Sequence, residues 1–179
     1  MAPQAPHTLD GMEYMKSAVY GYGTTPIPLI DDYKMIRWLQ DNISGSPVIL
    51  EAQEPEYRLG SRITMYTGLP TVLGWRFHQS QQRSLDPLPT FIWGRVGNVA
   101  AMYNTLDIQT AQQLLSFYNV QYIIVGGLER TDYSPAGLAK FDQMVTQHLL
   151  DVVYSDNGTR VYHVLPANRL NMAQVSNTQ

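Results

Sequence analysis

The chain has 179 residues with 12 Lys+Arg and 15 Asp+Glu, a formal net charge of −3, and no cysteine. This length fits one domain, and 44% apolar residues can fill a core, which excludes global disorder. The negative balance without a Lys/Arg cluster excludes nucleic acid as a partner, and the lack of Cys excludes disulfides, thiolate metal sites and cysteine nucleophiles.

Residues 1–30 hold Pro3, Pro6, Pro26 and Pro28 with Gly11, Gly21 and Gly23 between them, which predicts an irregular arm. A helix is expected from Asp31 or Asp32 as N-cap, with Ile36, Leu39 and Ile43 at helical spacing and Gly45 as its stop. Pro47 leads into Val48–Ala52, an apolar run of the buried-strand type. Arg58–Thr67 reads as a short helix capped by Gly68, followed by a strand at Thr71–Leu73 and a loop-rich stretch over 74–92. A helix over 94–103 precedes a second one capped by Asp107, whose stripe is Ile108, Ala111, Leu114, Leu115 and Tyr118. Gln121–Val125 is the strongest strand, ended by Gly126 and Gly127. Ser134-Pro135 opens a helix whose buried face is Leu138, Phe141, Val145 and Leu149, with His148 near that face. Asp156-Asn157-Gly158 between Val152–Tyr154 and Val161–Val164 is a hairpin signal that puts His163 in a strand, and 166–179 shows no apolar periodicity.

These elements predict an α/β fold: a layered domain over 31–165 with a mainly parallel sheet flanked by helices and a C-terminal β-hairpin at its edge. Residues 1–30 form an arm and 166–179 a flexible tail. No apolar run approaches bilayer length, and Met1–Pro6 lacks the segments of a signal peptide, so the fragment itself is expected to be soluble. There is no P-loop, no Gly-x-Ser-x-Gly elbow and no third glycine after Gly21-Tyr22-Gly23. His7, His78, His148 and His163 are scattered, so neither a metal nor a cofactor is expected.

Four segments carry polar side chains at places where such sheets bind ligands, beyond the carboxyl ends of strands. Glu51 ends an apolar strand, where a carboxylate acts as a base, holds sugar hydroxyls, caps a neighbouring helix or pairs with an arginine. Tyr57–Trp75 gathers Arg58, Arg62, Ser61 and tyrosines beside a turn, either an anion site or a solvated cap. His78–Arg83 and then Arg95 form a hydrogen-bond-rich stretch. Glu129 and Arg130 follow the strongest strand and either face a site or form an ion pair. The chain also has 12 Tyr, and Arg outnumbers Lys, a composition suited to stacking and to planar anions or simply to half-buried strands.

Together, Leu9-Asp10-Gly11 with Tyr14-Met15, Val48–Ala52, Thr67–Trp75, His78–Arg83 and Gly126–Tyr133 with Lys140-Phe141 resemble the C-terminal soluble region of the YYY-type (Chlor_Arch_YYY) bacterial and archaeal membrane proteins. Those are polytopic proteins regarded as GT-C-type glycosyltransferases that use lipid-linked sugars. The resemblance spans about residues 9–165. Thr67–Leu73, the helix ending in Tyr118-Asn119-Val120 and Gln121–Val125 are also similar in layout to the soluble domain of oligosaccharyltransferase catalytic subunits, although their Trp-Trp-Asp motif is missing here. Gln79 and Asn98 stand where the YYY-type pattern has carboxylates.

The resemblance implies an extracytoplasmic domain that is not catalytic alone. Its partners would be the transmembrane portion of the same polypeptide and a lipid-linked sugar or glycan. Glu51, Arg62, His78, Gln81, Arg83, Arg95, Glu129 and Arg130 are the expected substrate contacts. The alternatives are a free-standing small hydrolase built on Glu51 and His78, or a structural assembly domain.

Overall fold

The apolar run at Val48 and the strong strand near residue 121 lie side by side. In the computed structural model, which describes residues 8–22, 25–55, 57–82 and 88–166, β3 (Val48–Leu50) pairs in parallel with β4 (Val120–Val125). β4 pairs antiparallel with β6 (Thr159–Val164), and β6 with β5 (Leu150–Asp156), giving a mixed sheet of order β3-β4-β6-β5. The expected C-terminal hairpin forms that edge. Its turn places Asn157 at φ 43° and Gly158 at φ 80°, left-handed values that Asn-Gly tolerates at low cost.

The strand alternation sorts side chains to two helical layers. Leu50, Ile123, Val125 and Tyr162 face a core built with α4 (Leu88–Asn104), α5 (Ile108–Phe117) and α7 (Pro135–Thr146). Ile49, Ile124 and Val161 face a second core shared with α1 (Ile30–Asn42) and Ile63 of α2 (Arg62–Thr67). Strands buried on both faces explain the unbroken apolar runs in the sequence. Each fully buried Ile or Leu contributes roughly 1.5–3 kcal/mol.

Several caps behave as their residue types predict. Asp107 accepts from Gln109 N and Thr110 N, Ser134 Oγ accepts from Gly137 N, and Gly68 closes α2 at φ 74°. Other expectations are corrected. Within the stretch read as irregular, a 3-10 turn covers Glu13–Lys16, and β1 (Val19–Tyr22) pairs with β2 (Thr25–Pro28). Leu29, not an aspartate, is the N-cap of α1. The strand expected at Thr71–Leu73 shrinks to one parallel bridge from Thr71 to Ile49. The loop-rich stretch contains α3 (Arg76–Gln82), and α4 begins at Leu88. Gly127–Asp132 is a short helix, α6, which takes up the Gly126–Tyr133 loop. His148 is exposed past the end of α7 at φ 56°, whereas His163 lies in β6 against the Tyr122 ring at 5.0 Å. The tail from 167 and Arg83 lie outside the described residues.

Candidate functional site

The carboxyl ends of β3 and β4 are joined by a buried ion cluster. Arg62, wholly buried at the start of α2, donates Nε and Nη2 to the two Asp32 oxygens at 2.8 and 3.0 Å. Its Nη1 and Nη2 also donate to Glu129 at 3.1 and 2.9 Å. Glu129 in turn accepts the backbone N–H of Ala52 past β3 and of Gly126 past β4, at 3.0 and 2.8 Å. A side chain at Gly126 would put its Cβ 3.1 Å from Arg62 Nη2 and 3.3 Å from Asp32 Oδ1, so the charged groups would have to shift by a few tenths of an ångström to admit it. Glu51 lies beside it and caps α2, accepting Ile63 N at 2.8 Å, Thr64 N at 3.3 Å and Thr64 Oγ1 at 2.5 Å.

Three carboxyls around one guanidinium cannot all hold a charge cheaply in a dry interior. Burial pushes the Glu51 carboxyl up to about 7, against the hydrogen bonds from Thr64 and Ile63 and the pull of Arg62. Burial also raises Asp32, despite Arg62. Burial opposes the charge on Glu129 too, but Arg62 and the two backbone N–H groups outweigh it and hold this carboxyl below its ordinary range. Arg62 therefore holds Glu129 ionised, whereas burial favours the protonated form of Glu51 and of Asp32. Tyr103 completes the floor, its hydroxyl between the Leu50 and Ile124 carbonyls at 3.1 and 2.8 Å and its ring stacked on Tyr133 at 4.2 Å.

The accessible part of the site is aromatic. Tyr57 follows β3, Trp75 follows the Thr71 bridge and His78 lies one turn into α3, so all three rings gather at the carboxyl end of the sheet. Ring centroids are 5.9 Å apart for Tyr57–Trp75, 5.4 Å for Tyr57–His78 and 5.6 Å for Trp75–His78. Trp75 Nε1 donates to the Arg58 carbonyl at 3.1 Å, which fixes the indole. Tyr57 is 71% exposed and adopts φ 64°, a left-handed conformation costly for an aromatic residue. His78 Nδ1 is buried without a hydrogen-bond partner among the described residues. Such a platform offers flat apolar faces and polar edges, which suits stacking of a ring bearing hydroxyls.

The residues singled out from sequence thus divide. Glu51, Arg62 and Glu129 meet, but inside the protein, with no surface for a ligand. His78 and the exposed Gln81 share α3 beside the platform. Arg95 is exposed on α4, its Nη1 on the Val72 carbonyl at 2.9 Å and its guanidinium 5.6 Å from the Tyr118 ring centroid. Arg130 is spent on the hairpin turn, where Nη2 donates to the Gly158 carbonyl at 2.7 Å. No hydrogen bond joins Glu51 to His78 among the described residues, and no group of three or more His, Asp or Glu there could hold a metal. The partners missed from sequence are Asp32, Tyr57 and Trp75. Only Tyr57 and Trp75 lay in a segment already suspected.

Further cavities open among the described residues. One of about 120 Å³ touches Asp31, Asp32, Arg130 and Asn157, and a groove of about 710 Å³ runs between α5, α7 and the β4–β6 pair.

The fold is similar to the C-terminal globular domain of an oligosaccharyltransferase from Archaeoglobus fulgidus. That match has a TM-score of 0.47 and 10% identity, covering 76% of this chain and 97% of that chain. No protein-family model and no curated protein sequence matches the chain, so the YYY-type resemblance rests on its quoted motifs. Among the described residues no helix is long and apolar enough to cross a membrane.

Proposed function

We propose that the chain is an extracytoplasmic domain of a polytopic GT-C-like membrane glycosyltransferase, and that it presents the Tyr57–Trp75–His78 platform to a glycan or lipid-phosphate sugar. The observation that carries this reading is the platform itself: three rings gathered at the carboxyl end of the sheet, Tyr57 and His78 edge to face and the other two pairs tilted, with Tyr57 in a strained backbone conformation. Gln81 and Arg95, exposed on the neighbouring helices, are suited to hydroxyls and to phosphate respectively. Glu51, Arg62 and Glu129 serve this site from below by fixing the strand ends and the start of α2. The domain is not catalytic alone on this reading, and the acid that drives transfer belongs to the membrane portion of the polypeptide.

The reading is supported by the motif resemblance and by the geometry of the platform. It is tested by fractionating native cells and blotting with an antibody against this domain. A membrane-fraction band far above 20.2 kDa is expected. A soluble band near 20.2 kDa would overturn the reading.

A further inference from the structure

The groove of about 710 Å³ lies at the opposite end of the sheet from the ring platform, beside Val120, the first residue of β4, and Val164, the last of β6. Two helices end there: α5 stops at Phe117 just before β4, and α7 at Thr146 just before β5. On α5 the lining residues Gln112, Leu115 and Ser116 stand three and four apart and so share one face. Met144 and Gln147, three apart, do the same at the end of α7.

Leu115, Val120 and Met144 are buried and form an apolar floor. Around them stand the side-chain amides of Gln112, Asn119, Gln121 and Gln147, the Ser116 hydroxyl and the His163 imidazole. Among the described residues no hydrogen bond within the fold uses any of these four amides or that hydroxyl. The described residues that line the groove include no Asp, Glu, Lys or Arg. Neutral amides both donate and accept, so they match neighbouring hydroxyls, while an apolar floor receives the C–H face of a ring. A phosphate or carboxylate would meet no cation here, and two helix C-termini, the negative ends of their dipoles, converge beside it. A peptide would find no strand to extend, because β4 and β6 are interior strands paired on both sides. The volume falls within the ~300–1,000 Å³ of small-ligand sites.

We infer that this groove binds a neutral saccharide, with the amides of Gln112, Asn119, Gln121 and Gln147 on its hydroxyls and Leu115, Val120 and Met144 beneath its ring. The site is separate from the ring platform and does not depend on the transferase reading: a free-standing chain with this groove binds the sugar equally.

The test is nitrogen-edited NMR of the isotope-labelled 179-residue chain, titrated to millimolar concentrations with glucose, galactose, mannose, N-acetylglucosamine, maltose and lactose in turn. The side-chain amide signals of Gln112, Asn119, Gln121 and Gln147 should shift and saturate with at least one of these sugars. Gln121→Ala and Gln147→Ala, both at exposed positions, should each weaken that binding about threefold to tenfold, the worth of one neutral hydrogen bond. Val152→Ser, at an exposed position on the edge strand β5 and outside the groove, should bind as the parent does. Circular dichroism of each variant establishes that it is folded. Glucuronate should bind no tighter than glucose. The absence of a saturable shift of these signals with any of the six sugars would overturn the inference. So would shifts confined to the Trp75 indole N–H, which would put the sugar on the ring platform instead. Tighter binding of glucuronate than of glucose, or affinity unchanged in both glutamine variants, would overturn it as well.

Discussion

Arg62→Met is the sharpest perturbation of this fold. It removes a fully buried guanidinium that donates four hydrogen bonds to two carboxylates. Removing one partner of a buried ion pair costs about 3–5 kcal/mol, because the other charge is left dry and unpaired. Here the loss is unequal. Glu129 keeps the N–H groups of Ala52 and Gly126, whereas Asp32 has Arg62 as its hydrogen-bond donor among the described residues. We therefore expect a loss of about 4 kcal/mol at neutral pH, a large part of the ~5–15 kcal/mol that holds a typical domain together. Adding Asp32→Asn to Arg62→Met should recover part of it, since a neutral amide is cheaper to strand than a charge. Acidification should also recover part: without Arg62 the folded-state carboxyls titrate higher, and stability lost above those values returns as they protonate. Urea unfolding followed by circular dichroism measures each variant. A loss below about 1 kcal/mol, or no recovery in the Asp32→Asn background, would refute the account of the cluster as the keystone of the strand ends.

Three further outcomes are expected. Glu51 titrates at about 7 in the fold against an ordinary 4.5, so its contribution is fully present below 4.5 and is lost as pH rises through 7; Glu51→Gln should flatten the fall in stability between those values, by at most about 3 kcal/mol, and an unchanged pH profile would contradict the assignment. Gly137→Ala places a Cβ 2.4 Å from the Tyr103 carbonyl oxygen and 2.7 Å from Asn104 Cα, where α7 meets the end of α4, so thermal unfolding should show a loss of about 1–3 kcal/mol, and an unshifted melt would mean that the contact is looser than drawn. If the proposed transferase reading holds, His78→Ala should change stability by less than about 1 kcal/mol yet reduce glycosyl transfer by the polypeptide that carries the domain, whereas unfolding or unchanged transfer would make His78 a structural residue.

The fold was legible where information is local. Ser134-Pro135, Asp107, Gly68 and Asn157-Gly158 mark ends and turns through their own side chains or backbone freedom, and each does so in the structure. Strands β3 and β4 were legible because burial on both faces leaves an unbroken apolar run. Helix α3 was not, because none of its residues is buried and no apolar stripe betrays it. Helix α6 hid behind two glycines, although at one of them, Gly126, an added Cβ would press on the charged groups. The site was harder still. Arg62 reads in sequence as part of an anion site or of a solvated cap, yet it is among the most buried side chains of the described residues. Its partners lie 30 and 67 residues away, and nothing in local periodicity reports such a distance.

The ion cluster and the ring platform are linked through one short stretch of chain. Tyr57 and Arg62 bracket a 3-10 turn at Leu59–Ser61, and Arg58, between them, supplies the carbonyl that holds the Trp75 indole. Arg62 pins one end of this stretch to α1 through Asp32 and to α6 through Glu129, while Glu51 holds the first turn of α2. A buried ion cluster adds little net stability over an apolar one, so its value here lies in direction. A guanidinium fixed at four angles sets the start of α2 more narrowly than a methionine could, and the backbone before it then has little freedom in where it delivers the Tyr57 ring. That is a physical reason for a fold to keep three carboxyls and an arginine in its interior, five residues along the chain from the first of three gathered rings.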